Sequence, residues 1–261
     1  MNDLAGLAAL ATRAARAAGE LLKARPERPD LGVVKKGAVD LVTEVDLASE
    51  RVIRALLTRE APGIAFQGEE GGGATTGTRW AVDPIDGTTN FVHGYPFYCV
   101  SIALIEGAVP VVGVIYDPVR DRLHAGWQGG GATVNGAPLR VSSVSTLDAA
   151  LSVTGFPYDR RQNAPRYLAL VQRALEQTQG VRRSGSAAMD LTTIATGYAD
   201  LFWEHQLKPW DTSAGVVLVR EAGGVVTRLD GSPWDPDAAD LLATNGFVHE
   251  AAVGMVAPPM R

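Results

Sequence analysis

The chain has 261 residues, of which 46% are hydrophobic and 20% charged, enough to bury a sizeable core and too apolar for a linker or a disordered tail. Its formal net charge is −5, and its 24 lysines and arginines are scattered without a polybasic block, which disfavours non-specific nucleic-acid binding. A single cysteine, Cys99, excludes an internal disulfide; within the apolar run 97–105 it reads as a small buried hydrophobe rather than a nucleophile.

In chain order, Leu4, Leu7, Leu10, Ala11, Ala14, Ala18, Leu21 and Leu22 recur at helical spacing, and Pro26 and Pro29 end the segment. Arg13, Arg16 and Glu20 interrupt the apolar residues, so this is an amphipathic helix rather than a signal peptide or membrane span, and a cytoplasmic location is the default. Residues 33–45, with Lys35, Lys36, Asp40 and Thr43, lead to a second predicted helix over 46–57. The apolar run Trp80, Ala81, Val82 predicts a strand. Three further strands are expected over 97–106, 111–116 and 122–127, with breaks short enough for antiparallel pairing. Gly129 to Gly131 and the pair Asn135, Gly136 are turn signals, and no P-loop lysine accompanies them. The second half alternates strands near 149–153, 200–204, 225–229 and 241–244 with helices near 167–177, 186–198 and 213–221. Pattern alone predicts a mixture of α and β.

The chemistry concentrates after the strand at 80–82, in Asp83-Pro84-Ile85-Asp86-Gly87-Thr88-Thr89-Asn90. Two carboxylates and the intervening Ile85 carbonyl make a hard-oxygen donor set suited to Mg²⁺. Gly87, Thr88 and Thr89 offer N–H and hydroxyl donors to an anion. Asp-Pro and Asp-Gly are also common turn formers, so the same residues could simply shape a loop. Two more acidic elements stand apart in sequence, Gly68-Glu69-Glu70 and Trp210-Asp211-Thr212-Ser213-Ala214-Gly215. Alone, the first reads as a solvated charge pair and the second as a cap for the helix expected to follow Asp211. Two carboxylates about 4 Å apart repel by roughly 4 kcal/mol at an effective dielectric of about 20, so gathering Glu69, Asp83, Asp86 and Asp211 calls for divalent cations.

The octapeptide resembles, without departure, the Asp-Pro-(aliphatic)-Asp-Gly-Thr-x-Asn signature of the inositol monophosphatase family, Mg²⁺-dependent, lithium-sensitive sugar-phosphate phosphatases. Gly68-Glu69-Glu70, the Trp210-Asp211 segment and the run from Val39 to Asp46 resemble that family's other motifs in the same order. The resemblance implies an α+β fold, a layered αβαβα sandwich. It divides into closely packed halves, 1–145 with most metal ligands and 146–261 with Asp211 and the specificity residues. It implies two or three Mg²⁺ ions: one on Glu69, Asp83 and the Ile85 carbonyl, a second on Asp83, Asp86 and Asp211, and a weaker third on Glu69. Position alone favours an N-cap role for Asp46, but the resemblance of the run from Val39 to Asp46 implies instead that Thr88 with Asp46 assists water activated by metal. Phosphate would meet the N–H groups of Gly87 and Thr88. Substrate hydroxyls would meet Gly185, Ser186, Ala187, Glu204 and Asp211. Glu204 is otherwise a solvated strand-end carboxylate, and Lys35 is either a loop cation near the site or a solvated lysine.

The implied reaction is hydrolysis of myo-inositol 1-phosphate or a related polyol phosphate, by a homodimer. Alternatives within the family are histidinol phosphate, fructose 1,6-bisphosphate and 3′-phosphoadenosine 5′-phosphate; outside catalysis, the alternative is a regulatory binding protein associated with transcription. Gly71 to Gly73 replace a serine-containing stretch of animal members and predict a floppier loop there with a weaker third metal. His93, His124, His205 and His249 show no zinc-like spacing.

Overall fold

The computed structural model describes residues 3–24, 34–35 and 41–257, with side chains for 3–24 and 43–257. Pro26, Pro29, Lys36 and Asp40 lie outside the described residues, as does the side chain of Lys35. The first half comprises α1 (Leu4–Lys23), the short pair β1 (Val34–Lys35) and β2 (Leu41–Val42), α2 (Glu44–Glu60), β3 (Ala65–Gly68), β4 (Gly72–Gly73), β5 (Arg79–Asp86) and α3 (Thr88–His93). It continues with β6 (Cys99–Glu106), β7 (Val109–Asp117), β8 (Arg122–Trp127), β9 (Gly131–Val134) and β10 (Ala137–Pro138). The second half holds β11 (Leu151–Thr154), α4 (Arg160–Gln177), β12 (Gly180–Arg182), α5 (Ala187–Ala195), β13 (Leu201–His205), α6 (Pro209–Glu221), β14 (Val225–Thr227), β15 (Asp240–Thr244) and α7 (His249–Val256).

Apart from the β1-β2 pair, the described residues form two sheets and three helix layers. The larger sheet runs β10-β9-β8-β7-β6-β5-β3-β4, and β5 through β10 pair antiparallel in sequence, as the short connections predicted. The smaller runs β12-β11-β13-β15-β14. The alanine-rich face of α1 and residues Ile53 and Leu57 of α2 cover one side of the larger sheet, over Trp80, Ile102 and Tyr116. Helices α5 and α6 fill the space between the sheets, where Leu191, Ile194 and Leu218 join Ile115 of one sheet to Phe202 and Ala243 of the other. Leu170 and Ala174 of α4 and Met255 of α7 cover Trp203 and Leu242 on the far side. The stack reads α, β, α, β, α, the sandwich expected above.

Several boundaries differ from the sequence reading. Helix α6 begins at Pro209, not after Asp211, because proline suits the first helical turn; Asp211 therefore lies inside the helix. Helix α5 stops at Ala195, and α4 starts at Arg160 across an irregular Asn163 with Pro165 just beyond. Strand β12 and helix α7 carry no periodic signal strong enough to predict.

Candidate active site

Strand β5 is buried along its whole length because helices cover both faces of its sheet, so its last residues present their polar groups only at the strand end. There the pairing with β6 slips between Asp83 and Asp86, around Pro84, which has no N–H to give the ladder. Asp83 turns back and accepts the Ile85 N–H at 2.9 Å. Gly87 takes the left-handed conformation with φ of 95°, which favours glycine, and α3 starts immediately after it. The Thr88 hydroxyl lies 3.0 Å from the Ile85 carbonyl and 3.3 Å from Oδ1 of Asp46. At the motif's end, the Asn90 amide donates to the carbonyls of Phe97 at 2.7 Å and Ser184 at 2.9 Å, tying the turn to the second half of the chain. The motif contained Asn90, yet spacing offered no sign of this bridging role.

Asp46 is not the N-cap of α2: that residue is Thr43, and Asp46 closes the capping box from the third helical position while also reaching Thr88. Its Oδ2 accepts the Thr43 N–H at 2.8 Å and the Thr43 hydroxyl, leaving Oδ1 toward Thr88. Burial raises its pKa, opposed by the hydrogen bonds from Thr43 and Thr88.

Asp86 points into the start of α5, where Oδ2 accepts the Ser186 hydroxyl at 2.6 Å and the Ala188 N–H at 2.7 Å. Burial pushes its pKa up to about 6 against those donors. Asp211 accepts the Lys208 N–H at 2.7 Å, the local cap that aims it from the first turn of α6. Glu69 follows β3, its N–H bonded to the Val82 carbonyl at 3.0 Å. Asp83 and Asp211 are held well above the ordinary carboxylate range, first by burial and then by the neighbouring acids, Glu69 and Asp86 among them.

Glu69, Asp83, Asp86 and Asp211 thus line one cleft of about 360 Å³, together with Ile85, Gly87 and Thr88. Among the described residues, no three His, Cys, Asp or Glu side chains are gathered tightly enough to hold an ion on protein atoms alone. The four carboxylates and the Ile85 carbonyl are oxygen donors, a set that fits Mg²⁺, which keeps several waters and asks for only one or two carboxylates.

Gly185, Ser186 and Ala187 line the same cleft at the start of α5, and Glu204 lines it from the end of β13. Glu204 packs so closely on Gly155 that a Cβ there would lie 2.0 Å from its carboxylate. Burial raises its pKa to about 8, opposed by Arg183 and Arg160 and reinforced by Asp86. Arg160 and Arg183 also line the cleft, and the sequence reading missed both. Arg183 adjoins the Gly185-Ser186 segment already singled out, a signal that could have found it; Arg160 had none. Burial lowers the pKa of His205, beside Glu204, and its ring faces Tyr167 at 5.6 Å between centroids. Among the described residues, no helix is long and apolar enough to cross a membrane.

The profile of the inositol monophosphatase family matches residues 3–258. An inositol-1-monophosphatase of Synechocystis sp. is 43% identical over 256 residues, covering 95% of this chain and 88% of that protein. The Nus factor SuhB of Pseudomonas aeruginosa is 42% identical over 257 residues, 95% of each. The solved inositol monophosphatase of Anabaena (Nostoc) sp. superposes with a TM-score of 0.89 at 42% identity over 99% of both chains. With the signature turn in place at the end of β5, the chain belongs to the inositol monophosphatase family.

Proposed function

We propose that the protein is a Mg²⁺-dependent phosphomonoesterase acting on myo-inositol 1-phosphate or a related polyol phosphate. The observation that carries this is the convergence of Glu69, Asp83, Asp86 and Asp211, from three separate segments, on one cleft that Glu204 also lines. Glu69, Asp83 and the Ile85 carbonyl would hold one ion, and Asp83, Asp86 and Asp211 a second, with Glu69 available to a weaker third. When bound, Mg²⁺ supplies positive charge that acidifies water and neutralises phosphate oxygens. Thr88 accepts a water proton at Oγ1 while passing its own to Oδ1 of Asp46, which burial has made more basic than an ordinary carboxylate. The Gly87 and Thr88 N–H groups face the phosphate. Glu204, Asp211 and residues 185–187 contact the substrate's hydroxyls.

The test is phosphate release from myo-inositol 1-phosphate, histidinol phosphate, fructose 1,6-bisphosphate and 3′-phosphoadenosine 5′-phosphate with Mg²⁺. Preference for a nucleotide substrate would overturn the polyol assignment. Lithium should inhibit at the second metal position, and light scattering should find a homodimer. A second reading, association with the transcription machinery, is favoured by the relative named Nus factor SuhB. A pull-down from host lysate comparing wild type with Asp83→Asn separates the two, because a binding role survives loss of the metal site.

A further inference from the structure

Helix α2 places Asp46 and Glu50 one turn apart, and both side chains are buried. Asp46 holds Thr88 as described. Glu50 reaches the loop after Glu69, where its Oε2 accepts the Glu70 N–H at 2.8 Å and its Oε1 accepts the Gly71 N–H at 3.0 Å. Arg54, the next turn along, pairs with Glu50 at 3.0 Å, lies 4.0 Å over the Phe66 ring and approaches the Gly72 carbonyl at 3.4 Å. The loop fits this carboxylate closely. A Cβ on Gly68 would stand 2.2 Å from Oε2 of Glu50, and one on Gly71 2.6 Å from Oε1.

The loop at Gly71 to Gly73, expected to be floppier from its glycines, makes several backbone contacts. Gly72 and Gly73 pair back onto Gly68 and Gln67 as β4, and the Ala74 N–H bonds to the Phe66 carbonyl at 3.0 Å. Those contacts hold the far arm of the turn, and the Glu69 N–H is bonded to Val82. The two N–H groups immediately after Glu69 have Glu50 as their acceptor.

We propose that Glu50 is a positioning residue of the metal site, fixing the backbone after Glu69 so that the Glu69 carboxylate stays aimed at Asp83. This rests on the reading of Glu69 as a metal ligand. Helix α2 then spans both working parts of the site, with Asp46 on the Thr88 side and Glu50 on the Glu69 side, and Gly68 and Gly71 are glycines because the carboxylate occupies the space of their side chains. Glu50→Gln keeps the volume but turns an amide NH₂ toward the loop's own donors and toward Arg54. Gly71→Ala attacks the same contact from the exposed loop and leaves α2 intact.

The test is calorimetric titration of Mg²⁺ into wild type, Glu50→Gln and Gly71→Ala without substrate, with circular dichroism as the check on folding. Both variants should bind Mg²⁺ about tenfold more weakly, the cost expected for losing an outer-shell support, and raised Mg²⁺ should restore much of their activity. Variants that bind as tightly as wild type, even with a lowered Tm, would show that Glu50 only stabilises the loop and would overturn the proposal. If Glu50→Gln does not fold, Gly71→Ala decides alone. Wild type that binds no Mg²⁺ would remove the metal reading itself, a failure distinct from that of Glu50.

Discussion

The Ser186 hydroxyl donates to Oδ2 of Asp86 at 2.6 Å across 100 residues of chain, joining the end of β5 to the first turn of α5. The signature turn of the first half is thereby aimed by the second half, and the site is complete only when both sheets are packed on the shared helix layer.

Ser186→Ala removes one of the donors to Oδ2 of a buried carboxylate, leaving the Ala188 N–H and the Cys99 thiol. It should cost about 1 to 3 kcal/mol in urea denaturation and weaken Mg²⁺ binding, since Asp86 becomes harder to ionise without that donor. An unchanged Mg²⁺ affinity would mean that Asp86 is aimed without Ser186.

Asp46 serves both a cap and Thr88, and two variants separate these roles. Thr43→Ala removes the N-cap side chain and should cost about 1 kcal/mol of stability with little change in kcat. Asp46→Asn should lower kcat by about a hundredfold at nearly constant KM, the contribution expected of a proton acceptor. Equal kcat losses in both would make the Thr88 contact incidental to the cap.

The raised pKa of Glu204 sets a pH signature in metal-free protein. The folded chain keeps a proton that the unfolded chain releases between pH 4.5 and about 8, so this group's contribution to stability falls as pH rises through that window. Glu204→Gln abolishes the dependence. Across the window the variant should gain about 2 kcal/mol relative to wild type, less than full conversion of the shift because Glu204 keeps some contact with solvent. Catalysis is assayed separately, in Mg²⁺-loaded protein at pH 7. There, kcat/KM for a polyol phosphate should fall about tenfold and that for a simple phosphate ester hardly at all. A flat stability difference from pH 4 to 9 would contradict the assignment.

Much of the site was legible because its donors sit in contiguous motifs: Asp83, Ile85 and Asp86 share one turn, and Glu69 and Asp211 stand in short segments of recognisable composition. The layers were less so. Local periodicity reveals α5 and α6 as helices, yet nothing local says that both sheets share them, and the order of the layers came from family resemblance. Glu50, Arg160 and Arg183 escaped for the same reason. Each is an ordinary helix or loop charge in sequence, and its partners, Gly71, Glu204 and Phe156, lie from 21 to 44 residues away.

The central claim is that Asp83 belongs to both metal positions and that hydrolysis depends on the ions held there. Its most direct test is calorimetric Mg²⁺ binding and phosphate release from myo-inositol 1-phosphate, measured together on wild type and Asp83→Asn. The substitution nearly preserves shape while removing the charge. The account predicts that wild type binds Mg²⁺ and hydrolyses the ester only in its presence, and that the folded variant loses both properties. Full turnover by Asp83→Asn, or Mg²⁺-independent turnover by wild type, would contradict it.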